Sequence, residues 1–274
     1  MSVELLRRAD VVSLLELAGC HPRHRLGQNF VIDPGTIRGI VNRAGIIDGD
    51  RVLEVGPGLG SLTLGLLEAG AEVTCIEKDP TLARLLPNSI AARAPGLSVE
   101  VVCGDALSVD LSSVVGDGPW KLVANLPYNV ATQVVLRVLD EAPTVETMVV
   151  MVQREVGERM AAAPGSRIYG IPSVLIGLAA TARLSVAVPA EVFYPRPRVA
   201  SSLVVITRLS EPLVQGVAAD KVRRLVRQGF NQRRKTMRRS LGLSPECFAA
   251  AGIDASARPE MLSPQDWCRL AEAS

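Results

Sequence analysis

The chain is poor in several residue types, and each shortage removes a class of protein. Its five cysteines, Cys20, Cys75, Cys103, Cys247 and Cys268, form no C-x-x-C pair and are odd in number. That argues against both a disulfide framework and a zinc site. Cys75 and Cys103 lie in apolar runs and are expected to be buried thiols. There are only two histidines. His21 and His24 have no cysteine or carboxylate cluster around them, so no metal centre is expected; they read as solvated loop histidines, the alternative for His24, with Arg23 and Arg25, being a contact to phosphate. Long hydrophobic runs are absent too: the uncharged stretch 168–182 reaches 15 residues and is interrupted by Gly170, Pro172 and Gly177. A spanning helix needs about 20 apolar residues, so no membrane partner is expected. Asp10 and Glu16 break up the N-terminus, which does not read as a secretory signal, and the expected location is the cytoplasm.

With 48% hydrophobic and 21% charged residues, the chain can bury enough apolar surface to fold. Its 274 residues suggest two domains at roughly 150 residues each. A formal net charge of +2 conceals an uneven distribution. Between Lys221 and Arg239 stand nine basic residues and no acidic one, leaving 21 basic against 28 acidic groups elsewhere. Arg223, Arg224, Arg227, Arg233, Arg234 and Lys235 in this run are candidate contacts for a polyanion such as RNA. The alternative is a solvated helix face.

From residue 51, short β-rich runs alternate with helical ones. Val52–Val55, Val73–Glu77, Val99–Cys103, Leu122–Asn125 and Thr147–Val152 read as buried strands. Ser61–Ala69, Pro80–Ala92 and Ala131–Asp140 read as helices between them. This alternation implies an α/β fold, a parallel sheet with helices on both faces. Helical stretches are expected over Arg154–Ala162 and Ser173–Ala182, then a hairpin of Leu184–Val188 and Ser202–Arg208 closing the sheet edge. From about Ser210 the pattern turns helical and polar. The first twenty residues hold one expected helix, Asp10–Ala18.

Three strand ends carry chemistry. After the first strand, Gly56-Pro57-Gly58-Leu59-Gly60 forms a glycine turn in which no Cβ blocks the approach of a ligand. Ser61 stands where a dinucleotide fingerprint has its third glycine, which counts against a nicotinamide enzyme. Glu77, 21 residues beyond Gly56 at the end of the second strand, suits two ribose hydroxyls; a carboxylate at a helix N-terminus is the competing reading. Asp105, after the third strand, can accept from an adenine amine or form an Asx turn. At the end of the fourth strand lies Asn125-Leu126-Pro127-Tyr128. An exocyclic base amine must be oriented before its nitrogen can be methylated, and the Asn125 side-chain oxygen and the Leu126 carbonyl can each accept one of its hydrogens. Pro127 rigidifies the turn, and Tyr128 offers a ring for a flipped base.

These motifs, with Leu26-Gly27-Gln28-Asn29-Phe30-Val31-Ile32-Asp33, Gln153-Glu155-Val156, Tyr169-Gly170, Val192-Phe193, Pro195-Arg196-Pro197 and Gly229-Phe230, resemble the small-subunit ribosomal RNA adenine dimethyltransferases of the KsgA type over nearly the whole chain. The resemblance implies a Rossmann-like class I methyltransferase domain over 23–209, a small all-α RNA-binding domain over 210–274, and an N-terminal helical extension over 1–22. It implies that S-adenosylmethionine is bound by Asn29, Val31, Gly56, Gly58, Glu77, Asp105 and Asn125, and that Tyr128 and Phe193 sandwich the target adenine. It implies methylation of two adjacent adenosines near the 3′ end of 16S rRNA, giving N6,N6-dimethyladenosines during small-subunit maturation. Val31 departs from the leucine usual there. Two alternatives remain at this point: a 23S rRNA adenine methyltransferase of the antibiotic-resistance type, disfavoured by Leu126 and Asn129, and a non-catalytic assembly factor, disfavoured by Asn125 and Tyr128. A monomer is the default expectation. Phe30 and Phe230 are expected to be packing residues.

Overall fold

The computed structural model describes residues 3–23 and 26–274, so the expectation for His24 and Arg25 lies outside the described residues. In chain order the elements begin with α1 (Arg8–Leu17), β1 (Phe30–Val31), α2 (Pro34–Arg43), β2 (Arg51–Val55), α3 (Ser61–Glu68), β3 (Glu72–Glu77), α4 (Pro80–Arg93) and β4 (Glu100–Cys103). There follow α5 (Leu111–Val115), β5 (Trp120–Asn125), α6 (Ala131–Glu141), β6 (Val145–Gln153), α7 (Arg154–Met160), α8 (Ile171–Gly177), β7 (Ala180–Val188), β8 (Phe193–Tyr194) and β9 (Ser201–Arg208). The last four helices are α9 (Gly216–Asn231), α10 (Met237–Leu241), α11 (Pro245–Ala251) and α12 (Pro264–Glu272).

The seven-stranded sheet has the order β4-β3-β2-β5-β6-β9-β7, and the pairs β2–β3, β3–β4, β2–β5 and β5–β6 are parallel. The chain leaves β2 toward β3 and β4, then returns to the other side of β2 at β5. Right-handed crossovers therefore put α3 and α4 on one face and α6 on the other. The reversal between β2 and β5 opens a crevice at the carboxyl ends of the strands, where such sheets take ligands. Strand interiors are apolar on both faces: Val52, Leu53, Leu122, Val123, Val149 and Val150 are fully buried.

Side chains cap the starts of α2 and α4, as they do those of α5 and α12. Asp33 accepts from Thr36 N at 2.7 Å ahead of Pro34, and Asp79 accepts from Thr81 N at 3.0 Å ahead of Pro80. The first of these, α2, was not expected from the sequence, because its mixed Gly-Thr-Arg surface weakens the helical pattern. The helix expected over Ser173–Ala182 is shorter than supposed. Ala180 and Thr181 already belong to β7; the alanines favour helix locally, and pairing at the sheet edge overrides that preference. The connection from β7 to β9 is not a tight turn either, since it contains β8, which pairs antiparallel with β1. Cys75 is buried as expected, but Cys103 is exposed, because it ends the edge strand β4.

The chain divides into two compact units, Met1–Gly157 with Leu184–Ile206, and Glu158–Arg183 with Thr207–Ser274. The chain thus crosses between the units three times, at 157/158, 183/184 and 206/207, where a single break near 209 was expected. The first 22 residues do not stand apart: Val11 and Leu15 of α1 join the core that contains Val52 and Ile37. Residues 158–183, by contrast, associate with the C-terminal helices. The Tyr169 ring lies 6.3 Å from that of Phe230, its hydroxyl donates to Leu262 O at 3.0 Å, and Phe230 stacks at 6.0 Å on Trp267. Such contacts join residues far apart in the chain and leave no local trace. Phe230 is thus a packing residue, and Gly229 beside it has room only for hydrogen, since a Cβ would stand 2.6 Å from Trp267 Cη2.

Candidate active site

A cleft of about 980 Å³, counting its open mouth, lies at the carboxyl ends of β2, β3, β4 and β5. Its floor is the turn that follows β2. Gly56, Gly58 and Gly60 have φ of +74°, +60° and +93°, which only glycine adopts without strain. At Gly58 a Cβ would also meet Phe30 Cε1 at 2.7 Å, so the turn and the β1 segment touch directly. Phe30 is 6% exposed and belongs to the core.

Glu77 ends β3 inside the cleft. Its Oε2 accepts from Gly58 N at 3.0 Å and its Oε1 from Asp79 N at 2.8 Å. The side chain that caps α4 is Asp79, so capping does not account for Glu77. Burial pushes the Glu77 carboxyl up from its ordinary value, against the backbone N–H groups of Asp79, Gly58 and Lys78 that favour its charge. Each oxygen keeps a lone pair for a further donor. Glu54 lies deeper, 1% exposed, and accepts from Thr63 Oγ1 at 2.7 Å. Burial raises its pKa to about 8. On the same wall the Ser61 hydroxyl is buried with no partner. Asp105 faces the cleft after β4. Its Oδ2 accepts from Lys78 Nζ at 2.6 Å and its Oδ1 from Leu107 N at 3.0 Å, so an Asx turn is indeed present. The Lys78 ammonium is the chief reason its carboxyl lies below the usual range.

Asn125 completes the cleft from β5. Its Nδ2 donates to Asn29 O at 2.8 Å. Because a carbonyl can only accept, this contact leaves Oδ1 as the available acceptor of the amide. Leu126 is buried and its N donates to Met151 O at 3.1 Å, while Pro127 begins the turn into α6. Tyr128 is half-buried, with its hydroxyl 2.8 Å from Ser201 Oγ. Phe193 is aligned with Val31 in the β1–β8 pair and is only 3% exposed. Of the two rings expected to hold the base, Tyr128 alone has substantial exposed surface. The fold thus joins three separated motifs, 26–33, 125–129 and 192–197. Gln28 fastens the first of them, donating to Asp79 Oδ2 at 3.2 Å beside the Arg23–Asp79 ion pair at 3.2 Å. The sequence assigned no role to Ser61, Lys78 or Gln28, since single polar residues in turns carry no periodic signal.

In the C-terminal unit, Arg224, Arg227, Arg234 and Lys235 are exposed. Arg223 and Arg233 depart from the expectation of uncompensated charge. Arg223 is paired with Asp220 at 3.1 Å, and Arg233 with Glu260 at 3.3 Å while donating to Arg167 O at 2.6 Å. Their acidic partners, Asp220 and Glu260, lie outside the basic run. Arg167 and Arg258 join Arg233 and Arg234 around a second, shallow cleft.

The sequence pattern of ribosomal RNA adenine dimethylase matches residues 20–274. The chain belongs to that family. Similar proteins include the ribosomal RNA small subunit methyltransferases A of Cutibacterium acnes, 48% identical over 98% of this chain and 94% of that protein, and of Nocardia farcinica, 47% identical over 97% and 94%. Among solved structures, a 23S rRNA methyltransferase, ErmE, is 28% identical with a TM-score of 0.67, covering 89% of this chain and all but 1% of that one. A dimethyladenosine transferase from Plasmodium falciparum has a TM-score of 0.73 at 22% identity, covering 88% and 95%, and shares the fold. The adenine dimethylase fold is a class I methyltransferase sheet, and the family's cofactor is S-adenosylmethionine. The cleft suits that cofactor: a buried carboxylate for ribose hydroxyls, an acceptor at Asp105 for an amine, an orphaned hydroxyl at Ser61, and a turn without Cβ atoms along one wall.

Proposed function

We infer that this adenine dimethylase transfers methyl groups from S-adenosylmethionine to the exocyclic amines of two adjacent adenosines near the 3′ end of 16S rRNA, giving N6,N6-dimethyladenosines as the small subunit matures. The observation that carries this reading is the Asn125 amide, tied to Asn29 O by its nitrogen and therefore offering its oxygen into the same cleft as Glu77 and Asp105. The small-subunit relatives stand much nearer in sequence than the 23S enzyme, which favours 16S rRNA. Among the described residues no helix is long and apolar enough to cross a membrane.

Glu77 holds the ribose hydroxyls of the cofactor, Asp105 its adenine amine, and Asn29, Val31, Gly56 and Gly58 line its path. Bound there, S-adenosylmethionine supplies an electrophilic methyl group. Asn125 Oδ1 and the Leu126 carbonyl accept the two hydrogens of the substrate amine and aim its lone pair. The amine sheds its proton to water once the new bond has formed, so the site needs acceptors and no general base. Tyr128 stacks on the flipped adenine, and Phe193 backs that wall from the core. Arg224, Arg227, Arg234 and Lys235, with Arg167 and Arg258, hold RNA phosphates.

Transfer of labelled methyl groups to small subunits that lack the modification tests the reading. Incorporation of two methyl groups on each of two adenosines is expected; binding of the particle without incorporation would identify an assembly factor instead.

A further inference from the structure

Lys78 is the one cationic side chain among the described residues lining the cleft, whose carboxyl groups belong to Glu54, Glu77 and Asp105. The sheet register puts it there. Glu77 of β3 is aligned with Cys103 of β4, and Gly104 N donates to Glu77 O at 2.9 Å, so the residue after β3 stands beside the Gly104-Asp105 turn. Lys78 Nζ then reaches Asp105 Oδ2 at 2.6 Å. The other oxygen is held by Leu107 N, and Arg137 of α6 secures the same loop by donating to Ala106 O at 2.7 Å and to Val109 O at 2.5 Å. Both carboxylate oxygens are therefore anchored, each with a lone pair to spare. The Asp105 side chain remains 33% exposed, open to the cleft. An ion pair with ends this exposed adds little to folding stability. What it does is fix one orientation of the carboxylate.

We propose that Lys78 is a positioning residue for the adenine end of the cofactor site: its ammonium holds the Asp105 carboxylate in the orientation that receives the purine amine. This rests on reading Asp105 as that acceptor. Without the ammonium, Oδ2 loses its donor, and the carboxylate, held by Leu107 N alone, must be ordered again each time a cofactor binds.

The test is calorimetric titration of the full-length enzyme with S-adenosylhomocysteine, alongside steady-state kinetics. Lys78→Met is expected to weaken binding about fivefold, the order of one exposed charged contact. KM for S-adenosylmethionine rises in step, while kcat at saturating cofactor and the thermal midpoint stay at wild-type values. Lys78→Arg restores the affinity, and Lys78→Met adds nothing in an Asp105→Asn background. If Asp105→Asn weakens binding and Lys78→Met does not, Lys78 is a surface charge and the proposal is wrong. Tighter binding by Lys78→Met overturns it as well, by showing that the ammonium occupies the ligand's place. Unchanged affinity in Asp105→Ala, which leaves no acceptor, removes the acceptor reading itself.

Discussion

Asn125 Nδ2 and Asn29 O meet at 2.8 Å across 96 residues of chain, and that contact decides which end of the Asn125 amide faces the cleft. It also ties the segment before β1 to the strand end where the substrate amine must be aligned.

Replacing Asn125 with alanine removes one amine acceptor and loosens that tie. Misplacement of reacting groups commonly costs ~10²-fold in rate, so single-turnover methyl transfer at saturating RNA and cofactor is expected to fall by about that factor. RNA affinity, dominated by phosphate contacts, should not change. Wild-type transfer by the variant would reduce the tetrapeptide to a structural turn.

Glu77→Ala leaves the ribose hydroxyls without an acceptor and frees Gly58 N and Asp79 N from theirs. A buried, charged hydrogen bond contributes about 1.5–3 kcal/mol. Calorimetry should find S-adenosylhomocysteine bound at least tenfold more weakly; equal affinity would rule Glu77 out as the ribose acceptor.

How much of this was legible beforehand follows from where the information sits. Glycine spacing, Glu77 and the Asn125 tetrapeptide are local signals at strand ends, and alternating strands and helices announced the sheet. The β1–β8 pair, the fastening of Gln28 to Asp79 and the association of Tyr169 with Phe230 arise from distant residues meeting, which no window of sequence records. Phe193 illustrates the difference: its motif suggested an exposed aromatic wall, and its pairing with β1 buries it.

Tyr128 and Phe193 should consequently behave differently. Tyr128→Ala removes a stacking surface of about 1–3 kcal/mol per base, seen as weaker capture of the adenine with the fold intact. Phe193→Ala truncates a buried ring at a cost of about 3–5 kcal/mol, seen as a lower denaturation midpoint. Equal stability of the two variants would contradict the burial of Phe193.

Glu54 gives a dependence of stability on pH. Its carboxyl faces Thr63 of α3 and Cys75 and Glu77 of β3, and burial raises its pKa from 4.5 to about 8. In the unfolded chain it ionises near the lower value, so folding takes up a proton between the two. Its contribution is fully present below about pH 4.5 and is lost as pH rises to about 8. Glu54→Gln lacks this loss, and Glu77 is common to both proteins. Urea unfolding at pH 5 and pH 8 should show the variant gaining on wild type as pH increases; a constant difference would mean that Glu54 ionises normally.

Neutralising Arg224, Arg227, Arg234 and Lys235 together should weaken RNA binding and flatten its log–log salt dependence by roughly 0.7 per lost single-strand contact. Cofactor affinity should hold. Arg233 is kept out of this set because its bond to Glu260 supports the fold. An unaltered slope would show a solvated surface.

The most direct measurement is mass-spectrometric mapping of methylated nucleotides after the enzyme and S-adenosylmethionine act on ribosomal particles that lack the modification. Dimethyladenosine at two adjacent positions near the 3′ end of 16S rRNA, and none in 23S rRNA, is the expected result. Methylation confined to a large-subunit adenosine, or no methylation of either RNA, would contradict it.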